Sequence, residues 1–234
     1  DQQRARPQRM YQWDFTPVLA NSGMLAAGLT NTLKLTATAL ALGIPLGLGL
    51  ALLRLSRLRV LAVPAGFVVE FFRTTPPLVQ LFWFFFALPI LIQVELTPFV
   101  AAALTFSIQS AAFFAEVFRA GIVSIDRGQS EAARALGMTG AQAMRRVILP
   151  QAVKRMIPAF MERSIELMKT TTLVATVSYA DLLFQANEVA QKTFRPLEVF
   201  TVTALIYFVV IYCASLVVHQ IERRLAVSGE TTVH

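Results

Sequence analysis

The sequence predicts an all-α integral membrane protein of about five transmembrane helices. Three observations carry that reading. Leu35 to Leu53 and Val199 to Val218 are uncharged, and each approaches the roughly 20 apolar residues that a helix needs to cross a bilayer core. Charged residues make up 15% of the 234 residues and the mean hydropathy is +0.59, whereas soluble domains carry about 25% charged residues. The strict alternation of a membrane β-barrel is absent, so the spans are helical.

Span one runs from Leu25 to Leu53 and ends at Arg54. Lys34 lies 20 residues before Arg54, about 30 Å along a helix, so its ammonium group can reach the far interface. Val60 to Phe72 is apolar apart from Glu70, and Arg73-Thr74-Thr75-Pro76-Pro77 separates it from Leu78 to Ile92. Neither half crosses alone; the stretch reads as one crossing with an interfacial start and a proline-broken middle. Span three covers Pro98 to Ala115 and continues as helix past Glu116 and Arg119. Span four covers Ile157 to Val177. Span five starts at Pro196, a residue suited to a first helical turn, and runs to Ile221.

A net charge of +7 would suit a nucleic-acid partner, but the cations sit at the ends of apolar segments, which excludes that reading. They mark sides instead. Arg54, Arg57, Arg59, Arg119, Arg127, Arg134, Arg145, Arg146, Lys154, Arg155, Arg223 and Arg224 fall on one side, and Lys192 and Arg195 on the other. Positive loops are cytoplasmic, which places the C-terminus inside and the N-terminus outside. Arg4, Arg6 and Arg9 of the N-terminal tail run against the rule. Residues 1 to 24 form a polar tail that does not read as a signal peptide, residues 25–225 form the membrane domain, and 226–234 a C-terminal tail. Cys213 cannot form an intrachain disulfide and reads as a packed or lipid-facing thiol. His219 reads as an interfacial residue.

The long third connection, Asp126 to Ala152, is punctuated by helix signals. Asp126 with Gln129 and Thr139 with Gln142 can each cap a helix start, and Gly137 can end a helix in the left-handed conformation. Pro150 disfavours helix just before it. The expectation is a short helix, a tight corner and a second short helix returning to the membrane.

Glu131-Ala132-Ala133, Gly137 and Val147-Ile148-Leu149-Pro150 resemble, in order and spacing, the EAA loop of ABC-importer permeases, with Val147 in place of the usual isoleucine. Arg73-Thr74-Thr75-Pro76-Pro77-Leu78-Val79-Gln80 resembles the R-G-T-P-L-L-V-Q segment of the polar amino acid branch, with Thr74 replacing glycine and Pro77 replacing leucine. Ala115-Glu116-Val117-Phe118-Arg119-Ala120-Gly121-Ile122, Gly128-Gln129 and Lys169-Thr170-Thr171-Thr172-Leu173 also match. The resemblance spans most of residues 28 to 222.

It implies a type I ABC-importer permease fold (MetI-like), in which 126–152 is a coupling loop seated in a groove of a cytoplasmic ATPase. Glu131, Ala132, Ala133, Arg134, Leu136, Gly137 and Met138 are then the coupling residues: alanines for close approach, Leu136 and Met138 as anchors, arginines for charge pairing at the rim. It further implies a second permease chain, two ATPase subunits, a periplasmic solute-binding protein and the bacterial inner membrane. The chain contains no G-x-x-x-x-G-K-[ST] phosphate loop, the motif that cradles nucleotide phosphates. Catalytic, cofactor and metal residues are therefore not expected, and ATP and Mg belong to the partner ATPase. Gly43, Gly47 and Gly49 read as packing residues.

Span four carries Glu162, Arg163, Glu166 and Lys169. Such residues cost roughly 2.5–3.5 kcal/mol each at bilayer depth and face a bundle interior or a wet cavity. At 100° per residue they fall, with Thr170, inside a sector of about 120°. With Arg73 they form the candidate substrate pathway, while Arg163 with Glu166, Glu166 with Lys169 and Glu70 with Arg73 can equally neutralise one another as i,i+3 pairs. In relatives that resemble transporters of basic amino acids, the position matching Arg163 is often acidic, so Arg163 implies a carboxylate-bearing solute. Opine or compatible-solute import, an ATP-independent carrier and a membrane scaffold are the alternative readings.

Overall fold

The computed structural model describes residues 11–226, without the side chains of 218, 219 and 221–226. The tail arginines at 4, 6 and 9, the side chains of His219, Arg223 and Arg224, and residues 227–234 lie outside the described residues. The described elements are helical. They are α1 (Thr16–Ala20), α2 (Ser22–Arg54), α3 (Arg59–Thr74), α4 (Pro77–Phe82), α5 (Leu88–Ile92), α6 (Pro98–Val123), α7 (Arg127–Ala135), α8 (Gly140–Ala143), α9 (Leu149–Thr170), α10 (Leu182–Thr193) and α11 (Pro196–Ala226). Among the described residues α2, α6 and α11 are long and apolar enough to cross a membrane, and α3 and Pro77–Ile92, bent by 104° at their junction, reach that length and hydropathy only together. Helix α9, the expected fourth span, is too rich in charge to qualify by composition. Arg155, Glu162, Arg163 and Glu166 instead border two cavities beside α6.

Pro45, Pro64 and Pro158 lie inside α2, α3 and α9, and the other prolines of the bundle mark helix starts or wide turns. Pro77, Pro98 and Pro196 each open a helix, where the missing N–H is one the helix would leave unpaired anyway. Pro89 and Pro150 stand in mid-run, and each follows a π-turn, Trp83–Ala87 and Met144–Ile148. Widening the turn relieves the clash of the proline ring with the carbonyl four residues back. The expected break before Pro150 is therefore absent: 140–170 is one continuous helical run, and the second short helix of the loop is the start of span four. At its far end the run tightens to a 3-10 helix over Thr171–Val177, which Ser178 ends with φ 60°.

Helices α2 and α6 pack through their backbones. A Cβ at Gly43 would stand 2.7 Å from the Cβ of Ser110, and one at Gly47 would stand 2.8 Å from both the Ala111 carbonyl oxygen and the Phe114 Cβ. A Cβ at Gly49 would meet nothing, so two of the three glycines are packing residues and the third is not. Around this contact Leu35, Ala39, Leu81, Ala102, Phe106, Leu167 and Val174 form a buried core that joins α2, α4, α6 and α9.

The connection from Tyr179 to Arg195, between spans four and five, contains α10. Asp181 caps it by accepting the Phe184 N–H at 2.8 Å, and Phe194 ends it at φ 53°. Its apolar side, Leu182, Ala186, Val189 and Ala190, meets Leu25 of α2 and Val199 of α11. Gly28 allows α10 to approach α2: a Cβ there would stand 2.8 Å from the Asp181 carbonyl oxygen. The chain before α1 is fastened at the same end. Fully buried Glu198 accepts hydrogen bonds from the Tyr11 hydroxyl at 2.5 Å and the Asp14 N–H at 3.1 Å, and Arg195 donates to it at 3.3 Å.

Replacing Gly47 by isoleucine should destabilise the α2–α6 contact by about 1–3 kcal/mol, read as an unfolding midpoint several degrees lower in detergent. Gly49→Ala should leave the midpoint unchanged.

Burial raises the Asp181 carboxyl from 3.8 to about 6. Because the folded value is the higher one, this group's stabilising contribution is complete below 3.8 and is lost as pH rises through about 6. Amides of 182–193 should therefore exchange more slowly at about pH 5 than at about pH 7.5, after correction for intrinsic rates. Asp181→Asn keeps the cap and should abolish the difference; pH-independent protection in the parent would contradict this.

Candidate functional site: a charge-lined cavity and the loop beside it

Between α6, α9 and the α3–α4 elbow lies a cavity of about 210 Å³ lined by Arg73, Thr75, Pro77, Gln109, Ser110, Phe113, Phe114, Arg163, Glu166, Leu167 and Thr170. The elbow that presents Arg73 is held by Gln80, whose Nε2 donates to the carbonyls of Phe72 and Thr75, each at 2.9 Å. Two prolines in sequence after Thr75 keep the chain extended there. Arg163 pairs with Glu166 at 2.5 Å, and Arg73 with Glu70 at 3.2 Å. Both guanidinium groups also face the Phe113 ring, at 4.5 Å for Arg163 and 5.8 Å for Arg73, within cation–π range. Arg73 Nε and Ser110 Oγ are buried without a hydrogen-bond partner. The cavity thus combines cationic groups, one carboxylate and an aromatic face, a set suited to a small zwitterion.

A second cavity of about 420 Å³ adjoins the first on the side nearer α7. It is lined by Arg73, Phe113, Glu116, Val117, Ala120, Gly121, Ser124, Arg155, Met156, Ala159, Glu162 and Arg163. Glu116 is held by Arg54 at 2.7 Å and by Arg119 at 2.5 Å, so α2 and α6 are tied where that cavity begins.

The residues expected to share the polar sector divide between these spaces. Glu166 and Thr170 line the first cavity alone, Glu162 the second alone, and Arg163 and Arg73 line both. Lys169 lines neither and, among the described residues, enters no ion pair. The Glu166–Lys169 pairing is therefore not formed. Projected at 100° per residue, Lys169 stands at the edge of the sector, about 120° from Arg163, whereas Thr170 is about 20° away. Sequence reasoning missed Gln109, Ser110 and Phe113. Polar residues recurring inside the apolar run of span three, Ser107, Gln109 and Ser110, were the available signal.

The loop beside these cavities is a rigid corner. Helix α7 closes with Gly137 at φ 81°, and the Gly137 N–H donates to the Arg134 carbonyl at 2.9 Å and the Met138 N–H to the Ala133 carbonyl at 3.0 Å. This pair of bonds is a Schellman motif, which requires a left-handed residue at its centre. Thr139 and Gln142 form the expected reciprocal capping box. Asp126 caps α7 differently from expectation. It accepts from the Gly128 N–H, while Gln129 turns to Gln151 at 3.4 Å. Glu131, Ala132, Arg134, Ala135 and Gly137 are exposed, Met138 is half-buried and Leu136 is 79% exposed, but Ala133 is buried. The outward alanine face is therefore Ala132 and Ala135. Ile125, Ala152 and Met156 root the corner in the bundle against Val117, Phe118 and Ile122, and Arg155 donates to the Ser124 carbonyl.

A charge-lined cavity between α6, α9 and the α3–α4 elbow, beside a hydrogen-bonded corner and within a set of membrane-length helices, fits a membrane transport subunit. Residues 43–227 match the family described as binding-protein-dependent transport system inner membrane component, and the chain belongs to that family. It is 38% identical over 224 residues to the glutamate/aspartate import permease protein GltK of Escherichia coli O6:H1, covering 93% of this chain and 100% of that one. It is 34% identical over 212 residues to the arginine transport system permease protein ArtQ of Bacillus subtilis, covering 91% of this chain and 97% of the relative. A crystal structure of an amino acid ABC transporter with histidines superposes with a TM-score of 0.87 at 37% identity, over 92% of this chain and 100% of that one.

Gly137→Val should misplace the corner, because a β-branched residue at this backbone angle costs about 1–2 kcal/mol. The variant should insert in the membrane as the parent does, yet transport by the assembled importer should fall. Solute-stimulated ATP hydrolysis at the parental level would contradict the assignment.

Proposed function

We propose that this chain is the permease subunit of an ATP-driven importer of polar amino acids, and that its solute bears at least one carboxylate and no strongly cationic side chain. The observation that carries the reading is the Arg163 guanidinium, set in the cavity on the Phe113 ring beside Glu166. Arg can grip a carboxylate with two parallel hydrogen bonds and repels a second cation where the dielectric is low. Glu166 is then free to meet the solute ammonium group, with Thr170 and Arg73 completing the contact and Glu162 placed further along the path. Relatives named for glutamate/aspartate import and for arginine transport match at similar identity, so the solute class rests on the cavity.

The membrane is the bacterial inner membrane. The basic residues flanking 126–152 favour a cytoplasmic corner, which puts the C-terminus inside and the N-terminus and α10 outside. Exposed Glu131, Ala132, Arg134 and Leu136 engage a cytoplasmic ATPase. Gly137 and the Met138 N–H hold the corner that aims them, and buried Ala133 seats α7. Two permease chains, identical or related, stand side by side over two ATPase subunits that bind ATP and Mg, and a periplasmic solute-binding protein delivers the solute. Closure of the ATPase pair moves the corners, and because 140–170 is one helical run, the movement reaches Arg163 directly. The path then opens alternately to each side, with no bond of the solute changed.

Uptake of a glutamate-like and an arginine-like solute should be compared for the parent and Arg163→Gln. The parent should favour the glutamate-like solute. The variant should lose most of that preference, on the order of tenfold for a charge-assisted bond of about 1.5 kcal/mol. An unchanged ratio, or a parent that favours arginine, would overturn the selectivity assignment.

A further inference from the structure

The two cavities meet at three residues, and in these the two guanidinium groups both face one ring. Arg73, Phe113 and Arg163 line both spaces. The Phe113 ring lies against one guanidinium at 4.5 Å and another at 5.8 Å. Each guanidinium is tethered on its own side, Arg163 by Glu166 on α9 and Arg73 by Glu70 on α3. The ring is thus placed between two elements, and α6 supplies it from a helix fixed to α2 by Gly43 and Gly47.

We infer that Phe113 is the partition of the transport path: its ring, held between Arg73 and Arg163, separates an outer compartment at Thr170 from an inner compartment at Ala159. The inference rests on reading the two cavities as one path. Three consequences of the chemistry support it. A phenyl ring is bulky and apolar, so it blocks both a hydrated ion and a zwitterion. Its face attracts both cations, which stabilises the closed position without a hydrogen bond that would have to be broken. An arriving carboxylate competes with the ring for the same guanidinium groups, which line the outer cavity. The solute that fits the outer compartment is therefore the one able to release the ring, whereas a solute without a carboxylate has no such lever. Phe113 acts here as a positioning residue.

The test reads access rather than uptake, so it stands whether or not the solute class is right. The full importer is reconstituted in proteoliposomes without nucleotide, with Cys213, the one cysteine of the chain, changed to alanine. Single cysteines are placed by Thr170→Cys and Ala159→Cys, and a membrane-impermeant thiol reagent is applied from the side that bears the ATPase. With Phe113 intact, the cysteine at 159 should react and the one at 170 should react about tenfold more slowly, the factor expected for two cation–π contacts holding the ring shut. Phe113→Ala should remove most of that difference. Phe113→Leu, which keeps bulk and guards against a folding defect, should retain a slower reaction at 170 than Phe113→Ala does. Equal reaction at both positions with Phe113 intact, or a cysteine at 170 that stays slow in Phe113→Ala, would overturn the partition.

Discussion

The close approach of α2 and α6 sets the rest of the bundle. Gly43 and Gly47 let the α2 backbone lie directly on Ser107, Ser110, Ala111 and Phe114. In lipid there is little hydrophobic drive to bring helices together, so packing of small residues must do it. Once α6 is held by one face, its other faces are fixed. Gln109 and Phe113 point into the cavity, Glu116 reaches Arg54 on α2, and Gly121 receives Met156 of α9, whose side chain would clash with any Cβ there. Helix α6 is therefore both the scaffold that carries the cavity and the surface on which α9 rests.

Against that fixed helix, the charges of α9 are held weakly. The Arg163 and Glu166 side chains are 36% and 55% exposed, and an ion pair with that much solvent access contributes little to stability. The pair is suited to exchanging partners. This contrasts with Glu116, whose two arginines hold it at shorter exposure, and with Glu198, which is fully buried and fastens the chain before α1 to the start of α11. The Glu116 and Glu198 pairs sit where helices or the N-terminal segment are joined, whereas the exposed Arg163–Glu166 pair borders the cavity.

The local signals of the corner were legible because they are local. Gly137, Thr139 and Gln142 act through bonds to residues three to five positions away, and each formed as the spacing implied. Pro150 misled because its ring strain can be relieved by widening the preceding turn, a choice that the packing of Ala152 and Met156 favours. Helix α10 was hidden by its mixed composition; it becomes a helix because Leu182, Ala186, Val189 and Ala190 find α2 and α11. Arg163 and Glu166 could be read as a polar face, but Phe113 could not be assigned to it, since an aromatic residue in an apolar span carries no mark of which side it faces. The helical projection already put Lys169 at the sector's edge, and it lines neither cavity.

The central claim is that the corner formed by α7 and α8 receives the motion of an ATPase and passes it along a continuous helix to Arg163. A photoreactive residue in place of Leu136, the most exposed apolar side chain of the corner, tests it directly in membranes that contain the whole importer. The account predicts a crosslink to the ATPase subunit whose yield changes when ATP is added. A crosslink to the solute-binding protein instead, or none to the ATPase in either state, would contradict it.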